Sequence, residues 1–233
     1  MTSLNILSGG AAQGLIGNVA AKFKESTGLD ITGDFGAVGA MADKLRNGTP
    51  ADILILTSAL IATLAREGLV GASSIADVGR VETALAVRDT DPLVSASDAA
   101  SLRQAFLQAD AIFVPDTKAS TAGIHVAKVL ALLDIADEVA GRLKIYPNGA
   151  TAMRHMASSD ATRPIGCTQA TEIIATKGTK LSGALPKGCD LATVYTAAIT
   201  SKATHAREAQ ILIDLLTAAD QGHLRERAGF LPV

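Results

Sequence analysis

The sequence predicts an α/β fold of two lobes, and three observations predict it. Short apolar strands alternate with helix-spaced stretches from Leu4 to Gly68, the pattern of strands joined by right-handed helical crossovers. Ala51-Asp52-Ile53-Leu54-Ile55-Leu56 is an almost unbroken apolar run, as suits a parallel strand covered on both faces. A second alternating set begins at Ala111, after the polar segment Asp89-Thr90-Asp91-Pro92. Two sets imply two lobes, joined by a hinge if the chain crosses twice, with a cleft between them suited to a ligand. One continuous sheet is the other arrangement the pattern allows.

In order, Leu4–Ser8 is read as a strand and Ala11–Ser26 as an amphipathic helix with Leu15, Ile16, Val19 and Phe23 on its apolar face, closed by Gly28. Asp30–Phe35 is a strand, Ala37–Asn47 a helix and Ala51–Leu56 a strand; Thr57-Ser58 is placed to cap a helix over Ala59–Glu67. Glu82–Arg88 is a strand, and Ser97-Asp98 caps a helix running to Gln108. In the second set, Ala111–Val114, Leu143–Tyr146 and Pro164–Thr168 read as strands, with helices over Thr121–Leu133, Ala150–Met156 and Thr171–Thr176. Lys180–Leu185 and Leu191–Ile199 are extended, and helices over Ala203–Thr217 and Ala219–Arg227 end the chain. The lobes are expected at 1–83 plus 196–233 and at 84–195, with crossings near 82–88 and 191–199.

Composition narrows the function. The chain of 233 residues is 48% hydrophobic and 19% charged, with 21 basic and 23 acidic residues and a net charge of −2. It can build a core, and it carries no basic field for nucleic acid. Aromatics are 3% and Trp is absent, which leaves little to stack on bases or sugar rings. No run of about 18 apolar residues occurs, so no membrane span is expected. The first residues, Met-Thr-Ser-Leu-Asn-Ile, lack the basic and apolar regions of a leader; the expected address is cytoplasmic, or periplasmic for a processed mature form. Cys167 and Cys189 read as two thiols or one bridge, and four scattered His argue against a structural metal. No cofactor is expected.

Several strand-to-helix turns can expose backbone N–H groups to an anion. The first is Ser8-Gly9-Gly10-Ala11-Ala12-Gln13, from which Ser8, Gly9, Gly10 and Gln13 are candidate contacts. The second supplies Ala37, Val38 and Gly39, the third Thr57 and Ser58, the fourth Lys118, Ser120 and Thr121, and a fifth Gly149 and Ala150. Thr168, Gln169 and Tyr195 are further candidates, at the end of a buried strand and on a crossing strand. Each has a plainer explanation: tight turns at the glycines, helix caps at Thr57, Ser58, Ser120 and Thr121, a solvated loop charge at Lys118, a core aromatic at Tyr195. His125, one turn into its helix, is the natural proton carrier if chemistry occurs; a packed or surface histidine is the alternative. Arg154 and His155 are placed on an exposed helix face, and Cys167 as inert packing.

These segments together resemble the molybdate-binding proteins. Phe35-Gly36-Ala37-Val38-Gly39-Ala40-Met41-Ala42-Asp43-Lys44-Leu45 is similar to their second turn and helix, and Asn47-Gly48-Thr49-Pro50-Ala51-Asp52-Ile53 to their Gly-x-Pro-Ala-Asp strand entry. Pro115–Gly123, Ile165-Gly166-Cys167-Thr168-Gln169 and Ala228-Gly229-Phe230 also have counterparts. The resemblance implies the type-two periplasmic solute-binding fold: two Rossmann-like lobes, a hinge and an interlobe cleft for the ligand, with a transporter as partner if the protein is exported. It also implies serine hydroxyls around the oxyanion, where this chain has Ala11, Ala37 and Val38, and a tyrosine where it has Thr168. Losing hydroxyls against a buried oxyanion costs about 1–3 kcal/mol each. The substitutions therefore point to an organic anion, a carboxylate or polycarboxylate with a carbon skeleton. Aconitate isomerase is similar to the same family, and that likeness implies an alternative: a cofactor-independent isomerase making a 1,3-allylic proton shift, with Arg88 and Lys118 as carboxylate anchors and His125, His155, Tyr195 or Cys167 as proton carrier, His125 foremost.

Overall fold

The computed structural model describes residues 3–233; the start of the chain, where a leader is judged absent, lies partly outside them. The chain forms two compact units, residues 1–81 with 193–233 and residues 82–192.

In unit 1, β1 (Ser3–Gly9), α1 (Gln13–Thr27), β2 (Asp30–Gly36), α2 (Val38–Arg46), β3 (Ile53–Thr57) and α3 (Ser58–Arg66) follow one another. Strand β1 pairs in parallel with both β2 and β3. The first half of β4 (Ala76–Arg88) and most of β9 (Ala192–Ile199) belong here too, and β9 runs antiparallel to β3. Helices α9 (Ala206–Thr217) and α10 (Gly222–Arg227) complete the unit. Ile53, Leu54, Ile55 and Leu56 are all fully buried, so β3 is covered on both faces, as its apolar run implies. One core cluster joins Leu7, Leu54 and Leu56 to Met41 of α2 and to Ile61 and Leu64 of α3. Elsewhere Leu15, Ile16, Val19 and Phe23 of α1 are buried, and α1 packs against α9.

Unit 2 holds the second half of β4, then α4 (Ala99–Gln108), β5 (Ala111–Pro115), α5 (Thr121–Leu132), α6 (Ala136–Val139), β6 (Leu143–Tyr146), α7 (Gly149–Ala157), β7 (Pro164–Gln169), α8 (Ala170–Ala175) and β8 (Thr179–Ala184). Strand β5 is parallel to β6 and β7, and β4 is antiparallel to both β7 and β8. The core gathers Leu85, Ile112, Val114, Ile165 and Cys167 from the strands with Leu102 and Phe106 of α4 and Val126, Val129 and Leu130 of α5. The alternating pattern predicts the α/β fold, while the antiparallel pairing of β9 with β3 and of β4 with β7 and β8 is not written in it.

The differences have local causes. Strand β4 begins at Ala76, six residues before the predicted start, and Asp77 and Arg80 interrupt the apolar spacing that would have marked the earlier start. Helix α1 begins at Gln13, since Gly10–Ala12 form a tighter single turn. Helix α9 begins at Ala206 rather than Ala203 because Asp52 holds the preceding turn, accepting from Thr204 N, Thr204 Oγ1 and His205 N. The same carboxylate accepts from Asn5 N at 2.9 Å. Burial pushes Asp52 upward, yet the N–H groups of Asn5, His205 and Thr204 and the Thr204 hydroxyl outweigh it and hold Asp52 below its ordinary value. Asp98 caps α4 as predicted, accepting from Ser101 N at 2.7 Å while the Ser101 hydroxyl bonds back.

Candidate functional site

In unit 1 the parallel strands β1, β2 and β3 end at one edge of the sheet. The register sets Gly9 opposite Gly36, Ser8 opposite Ile55 and Thr57 opposite Tyr195 of β9. Three helical segments therefore start side by side: the Gly10–Ala12 turn that leads into α1, then α2, then α3. None receives a side-chain cap, and none has an acidic residue in its first turn. The expected caps from Thr57 and Ser58 are thus corrected: Thr57 holds the N-cap position with extended backbone, but its hydroxyl does not cap the helix. Ser8 Oγ donates to Gly9 O at 2.9 Å, so its proton is committed locally.

The side chains at this edge are small and apolar. A methyl group built on Gly9 would stand 2.9 Å from Tyr195 Cε1 and 2.9 Å from Val38 Cγ1. A side chain at this position would force Tyr195 or Val38 to shift, and the bare glycine backbone forms the floor of the turn. Tyr195 is buried and meets the Phe230 ring edge to face at 6.3 Å. Ala37, Val38 and Gly39 are half-buried, and Ala11 is buried. Gly10 and Thr57 are half-buried, while Gln13 and Ser58 are exposed.

In unit 2 the turn between β5 and α5 is organised by Asp116, whose Oδ1 accepts from Lys118 N and Ala119 N. Ser120 occupies the N-cap of α5 without a side-chain capping bond, and no acid lies in the first turn. Capping therefore does not account for Ser120 or Thr121, contrary to expectation. Lys118 is exposed. His125 is half-buried, and its Nε2 lies 2.8 Å from Cys189 O. A carbonyl can only accept, so Nε2 carries the proton and Nδ1 is left as the basic atom. Arg88, expected as an anchor, is held by Asp91 at 2.7 Å and donates to Ser159 O at 2.8 Å. Cys167 and Cys189 are both buried free thiols. Burial raises both, and the Asp190 charge adds to it at Cys189. Arg154 and His155 are exposed, and His155 stacks on Tyr146 with centroids 4.3 Å apart.

The turn before α7 holds a feature the sequence reading missed. Glu172, in the short helix α8, is 6% exposed. Its carboxylate accepts from Thr168 Oγ1 at 2.6 Å and from the backbone N–H groups of Ala150, Gln169 and Gly149. A methyl group on Gly149 would lie 2.0 Å from Glu172 Oε2 and 2.1 Å from Thr168 Oγ1, so the carboxylate sits directly against the helix start. The structure thus directs Gly149, Ala150 and Thr168, all expected to face a ligand, toward the carboxyl group of Glu172. Burial raises Glu172 above its ordinary value in spite of the Thr168 hydroxyl and the three amides. The available signal was a lone acid in the short segment Ala-Thr-Glu-Ile-Ile-Ala, four residues after a threonine.

Gln169 differs from its neighbours. It is 3% exposed, and neither Nε2 nor Oε1 has a hydrogen-bond partner. Thr83, directly opposite on β4, and Thr171 are also buried with unpartnered hydroxyls. Among the described residues no group of three or more His, Cys, Asp or Glu is placed to hold a metal ion, and no helix is long and apolar enough to cross a membrane.

Comparison with known proteins adds to this geometry. The family model described as bacterial extracellular solute-binding protein matches residues 4–231. An aconitate isomerase of a Pseudomonas species is 27% identical over 244 aligned positions, covering 100% of this chain and 89% of that one. Among solved structures, the periplasmic molybdate-binding protein of Azotobacter vinelandii matches with a TM-score of 0.80 at 17% identity, over 99% of this chain and 100% of that one. The sulfate-binding protein of Mycobacterium tuberculosis matches with a TM-score of 0.75 at 19% identity, over 100% of this chain and 88% of that one.

Proposed function

The chain belongs to the bacterial extracellular solute-binding protein family, and on that premise we propose that it binds a small organic anion, a carboxylate or polycarboxylate. One observation carries the reading. Three helical starts lie on one edge of the unit 1 sheet without side-chain caps or first-turn acids. Their N–H groups want acceptors, and each helix end favours a negative charge by about 0.3–1 kcal/mol. Around them stand Gly9, Ala37, Val38, Gly39 and the Tyr195 ring, which supply contact for carbon and few hydroxyls for a bare tetrahedral oxyanion. Gly10, Thr57 and Ser58 add donors at the same edge, while Lys118, Ser120 and Thr121 offer donors at the α5 turn of unit 2. The family description fits a receptor that hands its ligand to a transporter.

A thermal-shift screen of molybdate, sulfate, phosphate, succinate, citrate, tricarballylate and cis- and trans-aconitate tests this. Stabilisation by carboxylates is the expected result; stabilisation by molybdate or sulfate alone overturns it.

A second reading is favoured by the likeness to aconitate isomerase along the whole chain. In it, a base takes a proton from the carbon beside the double bond, the double bond moves one position, and a proton returns at the far carbon. Nothing is gained or lost, so no cofactor is required. His125 Nδ1 is the candidate base, with Nε2 fixed on Cys189 O. NMR of the protein with cis- or trans-aconitate should show the other isomer, and no conversion at high protein concentration removes that substrate.

A further inference from the structure

We propose that Gln169, with Thr83 and Thr171, forms a subsite in unit 2 for an uncharged group that both donates and accepts hydrogen bonds, so that the ligand is a hydroxylated carboxylic acid. This rests on the carboxylate-binding reading and sharpens it.

All four side-chain atoms found buried without a hydrogen-bond partner among the described residues belong to these three residues: both polar atoms of Gln169 and the hydroxyls of Thr83 and Thr171. Leaving such groups unpaired costs about 1–3 kcal/mol each, so native proteins seldom tolerate one without a purpose. Here they are concentrated. Thr83 and Gln169 are directly opposed across the β4–β7 pair, which puts both side chains on one face of the sheet. By the alternation of the strands that is the face of Leu85 and Cys167, two of the core residues of unit 2. Residues 185–191 flank the pair: Leu185 N–H donates to Thr83 O at 3.2 Å, and Thr83 N–H donates to Leu191 O at 2.9 Å. The same segment carries the Cys189 carbonyl that holds His125.

The chemistry of the group follows from the inventory. A primary amide offers donors at Nε2 and an acceptor at Oε1, and a threonine hydroxyl can play either part. A fully ionised oxyanion only accepts, so it would leave Oε1 unpaired and facing negative charge. An alcohol satisfies both ends.

Isothermal titration with two matched pairs, malate with succinate and citrate with tricarballylate, tests this. Each pair differs by one hydroxyl. In the wild type the hydroxylated acid of at least one pair should bind about tenfold more tightly or better, the equivalent of about 1.4 kcal/mol. Gln169→Leu should bring that pair to equal affinity, and Thr83→Val should narrow the gap, with thermal unfolding run beside each variant to establish that it is folded. Equal binding within both pairs in the wild type overturns the proposal while leaving the carboxylate reading intact. A preference that survives both substitutions also overturns it. If none of the four acids binds while an aconitate stabilises the protein, this proposal is overturned and the carboxylate reading stands; if no carboxylate of either set binds, both have failed.

Discussion

Thr168 Oγ1 donates to Glu172 Oε2 at 2.6 Å, in a part of unit 2 where both residues are buried. The contact turns a helix start that looks like a ligand site into an internally satisfied one. Removing the hydroxyl with Thr168→Val keeps the shape and deletes one of the donors on a buried carboxyl. The expected loss of stability is about 1–3 kcal/mol, read by urea denaturation. A loss below the error of that measurement would show that the contact is replaceable by solvent.

Glu172 also sets a pH dependence. Burial raises its value in the folded state, so the unfolded chain loses this proton at lower pH than the folded one. The contribution is complete below the unfolded value of about 4.3 and is lost as pH rises through the folded value. Urea unfolding across that range should show a decline toward higher pH that is absent in Glu172→Gln, whatever the variant's absolute stability.

Asp52 has the opposite sign. Its value is held below the ordinary one by the Asn5, His205 and Thr204 donors. Its contribution is therefore complete above the unfolded value of about 3.9 and lost as pH falls through the folded value. Asp52→Ala strands N–H groups on β1 and in the turn before α9, and should cost about 2–4 kcal/mol near neutral pH. The variant should also show a weaker loss of stability in acid than the wild type.

These two carboxylates show what the sequence exposes and what it hides. Asp52 sits in a segment legible from its apolar run and from its likeness to a strand entry, but its four donors come from residues 47 to 153 positions away. No local pattern announces them. Strand β3 and helix α4 were legible because the signal is local: four consecutive buried aliphatics in one, the reciprocal Asp98 and Ser101 bonds in the other. Asp77 disguises the start of β4, and it earns its place only through Thr196 Oγ1, 119 residues away. The turn glycines and alanines were likewise legible as positions. What each backbone N–H faces is a tertiary fact, and at Gly149 and Ala150 the answer was Glu172.

Gly9 gives the most direct probe of the unit 1 edge. Gly9→Ala would place a methyl group 2.9 Å from both Tyr195 Cε1 and Val38 Cγ1. Both neighbours are side-chain atoms, so the structure can yield, at a cost of about 1–3 kcal/mol for overpacking. Relief requires Val38 or Tyr195 to move, and Val38 is the first residue of α2, next to the N–H groups proposed to hold the anion. A variant that is folded but strained there should bind its carboxylate at least tenfold more weakly, a loss of about 1.4 kcal/mol. Ala12→Ser at the other end of the same turn, where the residue is fully buried, provides a comparison that alters the core without touching Gly9. Titration of both variants beside the wild type separates the two effects. Equal binding by Gly9→Ala and wild type would remove this edge from the site, because no ligand held by these amides could ignore a displaced Val38.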